Sequence, residues 1–319
     1  MISLIGKSRI GLYKIEGGND FMSENKKEVI VSKEDKNVKG SRIVKGRKSI
    51  NYLQKMKDEG TPIVQMCPAG RDQFWPLAAE MAGCDVCRFT VPGDGVSDPK
   101  QQIEIAPWWI QTVRRSAKHI HLNFYMQTPT YASKEKALEY GSYYMNCGAD
   151  SLLPMGISNE TLQYMADNYL PVFGHVGALS GWQTNRQGGY KRMGQTAEDA
   201  MKVFRMAYEY QESGMMAMTI ELTPIEVTNA IAKKLRVPVI SIAAGGAADG
   251  CEMVDFDTFN MMPETASHAK SYANFFEWAA SAYGTWANDV RTSLYPEDKH
   301  GYHMEERELE TFLNEIEKF

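Results

Sequence analysis

Several features that would assign a chain early are missing from this one. No apolar stretch approaches the roughly 18 residues that a membrane-spanning helix needs. The first residues, MISLIGKSRIGLYKIEGG, lack the apolar core and cleavage site of a secretory leader, so the cytoplasm is the expected location. Five cysteines (Cys67, Cys84, Cys87, Cys147, Cys251) are too few for a disulfide framework at this length. Cys84-x-x-Cys87 has no second pair to complete a zinc site. It also follows Ala82-Gly83 at an expected helix end, where a redox motif would want a helix start, so it reads as structural. No long Lys/Arg tract occurs and the net charge is −5, which sets nucleic-acid binding aside as the main role. No GxGxxG follows the first expected strand, which weakens the case for a dinucleotide-binding open sheet.

What is present is an ordinary globular composition, 43% apolar and 24% charged, in 319 residues. That length suits one large α/β domain with additions or two average domains. Residues 1–45 read as an N-terminal extension, 46–260 as the main domain and 261–319 as a helical, aromatic segment packing on it or on a neighbouring copy. Phe173 to Pro224 organises the rest. It opens on an apolar run containing Gly174-His175, crosses a loop with Gly188-Gly189-Tyr190-Lys191, continues through an amphipathic helix and closes on a strand ending in Glu221. Strand, helix and strand in that order make a βαβ unit, whose parallel strands end on one face.

The same alternation extends along the chain. Strands are expected at Pro62–Met66, Val86–Val91, His119–Met126, Ser151–Met155, Pro171–Val176, ahead of Glu221, at Val237–Ala243 and at Glu252–Phe256. Most are short and largely apolar, as strands buried on both faces are. His121, Asn123 and Tyr125 should share one strand face. Serines 49, 133 and 158 read as helix N-caps, and Pro107 as the first residue of a helix ending near Arg115. Eight strands separated by helices fit a (β/α)8 TIM barrel, with a doubly wound sheet as the alternative. In a barrel, His175 and Glu221 lie at the strand ends that carry the chemistry.

Three motifs then resemble one family in order and register: Gly174-His175-Val176-Gly177, Gly188-Gly189-Tyr190-Lys191-Arg192-Met193-Gly194, and Ile220-Glu221-Leu222-Thr223-Pro224. From about Ser49 to His303 the chain resembles ketopantoate hydroxymethyltransferase, a relative of phosphoenolpyruvate mutase and isocitrate lyase. The resemblance implies a 2-oxo acid substrate, methylenetetrahydrofolate as one-carbon donor, Mg²⁺ held by three carboxylates, a homo-oligomer, and proton transfer at the residue matching Glu221. Gly93-Asp94-Gly95 answers to the first carboxylate. Tyr125 and Met155 stand where the second and third would be, so two of three expected ligands are absent, with Asn123 and Asp150 the nearest substitutes. Glu221 and His175 are therefore the catalytic candidates. Asp94, Tyr125, Cys67, Arg71 and Met155 are the substrate-binding candidates, with Asp94 also the one candidate metal ligand. An apolar pocket would raise the Glu221 pKa. Lys191 reads as a surface charge. The expected activity makes or breaks a C–C bond next to a carbonyl, with substrate and metal use altered. A lyase or hydrolase of the phosphoenolpyruvate mutase/isocitrate lyase type, and a catalytically silent binding homologue, are the alternatives.

Overall fold

The computed structural model describes residues 46–68, 72–91, 99–246, 248–262 and 266–319, except the side chains of residues 99 and 182. The expected extension at residues 1–45 lies outside them. Ser49 accepts a hydrogen bond from the Tyr52 amide and starts α1 (Ile50–Asp58), as its side-chain chemistry predicts. Then follow β1 (Ile63–Cys67), α2 (Phe74–Ala82), β2 (Val86–Phe89), α3 (Pro99–Ser116), β3 (His121–Tyr125), α4 (Lys134–Cys147), β4 (Ser151–Leu153) and α5 (Asn159–Asp167). After β5 (Phe173–Gly177) and the short α6 (Thr184–Gln187) come α7 (Ala197–Glu212), β6 (Ala217–Glu221), α8 (Ile225–Lys234), β7 (Val239–Ile242), β8 (Gly250–Val254) and α9 (Asp255–Thr258). Two longer helices end the chain, α10 (Phe275–Arg291) and α11 (Glu306–Ile316).

The eight strands are parallel and run in the order β4-β3-β2-β1-β8-β7-β6-β5. A single parallel bridge, Leu152 to Val172, joins β4 to β5 and nearly closes the cylinder. This is the expected (β/α)8 barrel. One apolar cluster lies between strands and helices. A second fills the barrel's N-terminal end, where Ile50, Leu53 and Met56 of α1 pack with Ile63, Val86, Phe173, Ala217 and Ile240.

Two sequence expectations change. Helix α3 starts at Pro99 rather than Pro107, so Pro107 sits inside it. Its missing N–H frees the carbonyl of half-buried Ile103, a tolerable site for that loss. The last strand spans Gly250–Val254, two residues earlier than its pattern suggested, because its register is set by pairing Ile63 with Gly250 and Cys67 with Val254.

Among the described residues, no helix covers one part of the barrel wall. Val64 on β1 and Cys251 on β8 are register partners on the outer face, yet Val64 is 49% exposed and Cys251 is exposed too. Strands of a parallel barrel are normally covered on that face by helices. Meanwhile α10 and α11 bury no residue, and Phe276, Trp278, Tyr283 and Trp286 of α10 are all exposed.

Candidate active site

The C-terminal ends of β5 and β6 meet through their backbones. Gly177 has φ +84°, and a Cβ there would lie 2.1 Å from the Glu221 carbonyl oxygen. Only glycine permits both that conformation and that approach. The Ala178 amide donates to the same carbonyl at 2.9 Å. This crossing brings His175, two residues back on β5, against the Glu221 side chain. His175 Nε2 faces two acceptors, Glu221 Oε2 at 3.0 Å and Ala178 O at 2.9 Å, so Nε2 carries the hydrogen. The other ring nitrogen, Nδ1, is buried with no partner among the described residues.

The glycine pair of the loop has its own task. Gly188 and Gly189 have φ +75° and +100°, a left-handed run that turns the chain so that the hydroxyl of Tyr190 donates to Glu221 Oε1. The three motifs thus form one chain of contacts, His175–Glu221–Tyr190. Tyr190 was missed from the sequence, although it stands in the GGYK motif. Lys191 is exposed, as expected of a surface charge.

Glu221 is 7% exposed. Burial alone would raise its pKa, as the sequence suggested. The hydrogen bonds from His175 and Tyr190 and the positive charge of Arg88 win instead, and hold the carboxyl below its usual range. The expectation of a raised value is therefore reversed: at rest this group is an ionised carboxylate with two donors on it.

Beneath the mouth lies a polar cluster that sequence reading also missed. Arg88 of β2 donates from Nε to Glu252 Oε1 of β8 at 2.5 Å, and its Nη2 pairs with the same oxygen. Gln65 of β1 donates to Glu252 Oε2 at 2.5 Å, and Thr219 of β6 donates to that oxygen at 3.3 Å. Burial works against the Arg88 charge, but Glu252 chiefly, with Glu221 assisting, raises its pKa on balance, so it stays charged.

Of the remaining candidates, Cys67, Tyr125 and Met155 lie at or just past the C-terminal ends of β1, β3 and β4. Cys67 ends β1 within electrostatic reach of Arg88, Glu252 and Glu221, but burial pushes its thiol up to about 12, so it is protonated and unreactive. Tyr125 ends β3, and its carbonyl accepts from Thr90 Oγ1 at 3.2 Å. Met155 is buried. Its sulfur accepts from the Ser180 amide at 3.1 Å, and its carbonyl takes the Tyr131 hydroxyl at 2.9 Å, so the loop after β5 walls it in. Arg71 and Asp94 lie outside the described residues. His121 and Asn123 both bond Ser151, at 2.8 and 3.2 Å, so they share the inner face as their spacing implied. Burial pushes His121 down to about 4.

The described donor set does not fit Mg²⁺. Hard cations take oxygen ligands in near-octahedral array. The positions matching two of the three carboxylates hold a phenol and a walled-in thioether. Asp150 is no substitute: it sits before β4, at the far end of the strand, where Arg47 (2.6 Å) and Arg114 hold it. Among the described residues, no group of three His, Cys, Asp or Glu side chains could hold a metal ion.

A cleft of about 430 Å³ opens where β6 and β7 end, lined by Arg192, Leu222, Thr223, Pro224, Ala243 and His268 among others. Leu222 and Ala243 both have φ +50°. Non-glycine residues held there are uncommon and cluster at functional sites.

Comparison with known proteins follows the same lines. Residues 47–298 match the family described as ketopantoate hydroxymethyltransferase. The 3-methyl-2-oxobutanoate hydroxymethyltransferase 1 of Methylibium petroleiphilum is 30% identical over 285 residues, covering 85% of this chain and 95% of that protein. The Bacillus licheniformis enzyme of that name is 31% identical over 269 residues, 80% of this chain and 95% of its own. Among solved structures, 2,3-dimethylmalate lyase, a PEP mutase/isocitrate lyase superfamily member, aligns with a TM-score of 0.51 at 10% identity over 79% of this chain and 91% of its own. Oxaloacetate acetylhydrolase with 3,3-difluorooxalacetate gives 0.51 at 10% identity over 80% and 90%. At that identity these two share the barrel and nothing finer.

Proposed function

Since the chain belongs to the ketopantoate hydroxymethyltransferase family, matched over residues 47–298, we propose that it transfers a one-carbon unit to the carbon beside the keto group of a 2-oxo acid, or runs that reaction in reverse. The single observation that carries this reading is the His175–Glu221–Tyr190 chain, assembled from three separated motifs on the strand ends where barrel enzymes work. In this reading water frees the one-carbon unit of methylenetetrahydrofolate as formaldehyde, leaving tetrahydrofolate. Glu221 takes the proton from the carbon next to the carbonyl, the carbanion so formed adds to the formaldehyde carbon, and the new alkoxide takes a proton to give the hydroxymethyl group. His175 and Tyr190 hold the carboxylate in place at rest. Substrate entering the mouth excludes water, and burial is the influence that raises a carboxyl's proton affinity. The base therefore strengthens when its target arrives.

Methylenetetrahydrofolate is the donor we assign, with the cleft beside Leu222–Pro224 as its approach to Glu221. The described donors do not fit Mg²⁺, so in this reading the chain's own side chains meet the charge that develops on the substrate. The bare β1/β8 wall and the aromatic face of α10 are complementary in character, which supports a homo-oligomer in which α10 of one copy covers Val64 and Cys251 of another. No helix among the described residues is long and apolar enough to cross a membrane, which agrees with a cytoplasmic enzyme acting on small molecules.

The test is turnover of 3-methyl-2-oxobutanoate with methylenetetrahydrofolate, and of the hydroxymethyl product in reverse, for the full chain and for Glu221→Gln. Turnover in the parent that falls by about a hundredfold or more in the variant is expected of a lost general base. Equal turnover in both would remove Glu221 from the chemistry. Product formation from neither direction would remove this substrate.

A further inference from the structure

Arg88 stands mid-strand in the wall of the barrel, opposite Glu252, and the two are not equally enclosed. The Glu252 side chain is 0% exposed, whereas 12% of the Arg88 side chain reaches solvent. Glu252 occupies Nε and Nη2 through one carboxylate oxygen, and among the described residues Nη1 donates to none. A guanidinium carries five N–H donors in one plane. The pair is thus a charge anchored on one edge with donors to spare on the other. Those donors lie within electrostatic reach of Glu221, Tyr190 and Cys67, the groups at the mouth. Glu252 is itself held by Gln65 and Thr219 from two other strands, so the guanidinium has a fixed seat. Three buried interior atoms also lack a partner among the described residues: Gln65 Oε1, Asn123 Nδ2 and His175 Nδ1.

We propose that Arg88 is the substrate-binding cation of this barrel, taking the carboxylate and keto oxygens of a 2-oxo acid on the guanidinium edge that Glu252 leaves free. The planar O–C–C–O group of such an acid presents two acceptors side by side, which suits the fork of an arginine better than a single ammonium. The same contact stabilises negative charge as it develops on the keto oxygen, the task for which the described residues offer no metal seat. Glu252 neutralises Arg88 at rest and lets a full charge persist in the barrel. Glu221, ionised nearby, faces the carbon end of the substrate rather than its oxygens.

This inference rests on the 2-oxo acid reading above, so the experiment separates the two. Oxalate, which copies the planar O–C–C–O group and cannot react, is titrated calorimetrically into the full chain in EDTA and again with excess Mg²⁺. Binding in EDTA within about twofold of that with Mg²⁺ is expected, and binding only with Mg²⁺ overturns the proposal. Arg88→Met/Glu252→Met, which removes both charges together and leaves neither stranded, is expected to lose affinity by about tenfold or more, the value of hydrogen bonds to a charged group. Unchanged affinity in that variant overturns the proposal. Should it fail to fold, Arg88→Lys keeps the charge without the fork and is expected to weaken binding by several-fold, with equal binding counting against us. Metal-free oxalate binding that needs Arg88, without hydroxymethyl transfer, would sink the proposed reaction and leave this site standing. Transfer that survives loss of Arg88 would do the opposite.

Discussion

Removing the Tyr190 hydroxyl should shift the acid limb of activity upward. In Tyr190→Phe the ring stays and one hydrogen bond to the Glu221 carboxylate is lost. Hydrogen bonds to charged groups contribute about 1.5–3 kcal/mol. Tyr190 is more than half exposed, so water replaces part of the loss, and about 1–1.5 kcal/mol is a fair discount. At 1.36 kcal/mol per pKa unit, the Glu221 pKa rises by about one unit. The direction follows from which form the bond favours: it stabilises the carboxylate, so its removal favours the acid. The assay is kcat/KM against pH, whose acid limb reports the free enzyme's base. Stability gives an independent reading. A carboxyl with a depressed folded pKa contributes stability that is present above its unfolded pKa of about 4.3 and is lost as pH falls through the folded value. In Tyr190→Phe that contribution shrinks, so the parent's advantage at pH 7 should vanish once both forms are titrated. A limb that stays put, or moves down, would refute the argument that Tyr190 holds Glu221 ionised.

Three further outcomes can be checked. Gly177→Ala places a methyl against the Glu221 carbonyl at a left-handed φ, and urea unfolding should show a loss of about 2–4 kcal/mol; a loss below about 1 kcal/mol would mean that the β5–β6 crossing is not tight. At pH 8, with its thiol pushed up to about 12, Cys67 has roughly one part in ten thousand as thiolate, so timed alkylation read by mass spectrometry should leave it unlabelled in the folded chain and label it readily in urea; equal labelling under both conditions would contradict its burial. Light scattering should give a multiple of the chain mass, and Val64→Arg on the bare wall should lower that mass with helix content unchanged. A single-chain mass in the parent would leave α10 without its partner.

How much was legible in the sequence depended on whether a feature is local. N-caps at Ser49, Ser133 and Ser158 were readable because each cap is a bond between a side chain and an amide three residues on. The eight strands were readable because short apolar runs separated by amphipathic helices leave few other folds. His175 and Glu221 stood out because their glycines and prolines are fixed by close backbone contact. The Glu221 pKa was misjudged because the hydrogen bond from His175, joined by that of Tyr190 and the charge of Arg88, outweighs burial, and these groups meet Glu221 from another strand, a loop and a strand more than a hundred residues away.

The Arg88–Glu252 pair marks the limit most clearly. Arg88 sits in the run Val86-Cys87-Arg88-Phe89, and Glu252 in Gly250-Cys251-Glu252-Met253-Val254. Each is a lone charge in a largely apolar strand, and none of the three motifs contains it. Yet a charge in a strand buried on both faces cannot stand alone, since leaving it unpaired would cost several kcal/mol. Two such strays of opposite sign, in strands that flank the same neighbour in a closed barrel, imply each other. The inward parity of Gln65 on β1, which lies between them, completes the inference, because a third polar side chain facing the same interior must also find a partner. The cluster was therefore available from the strand order and the period of two, without any resemblance, to a reader who asked of every charge in a buried strand where its counterion lies.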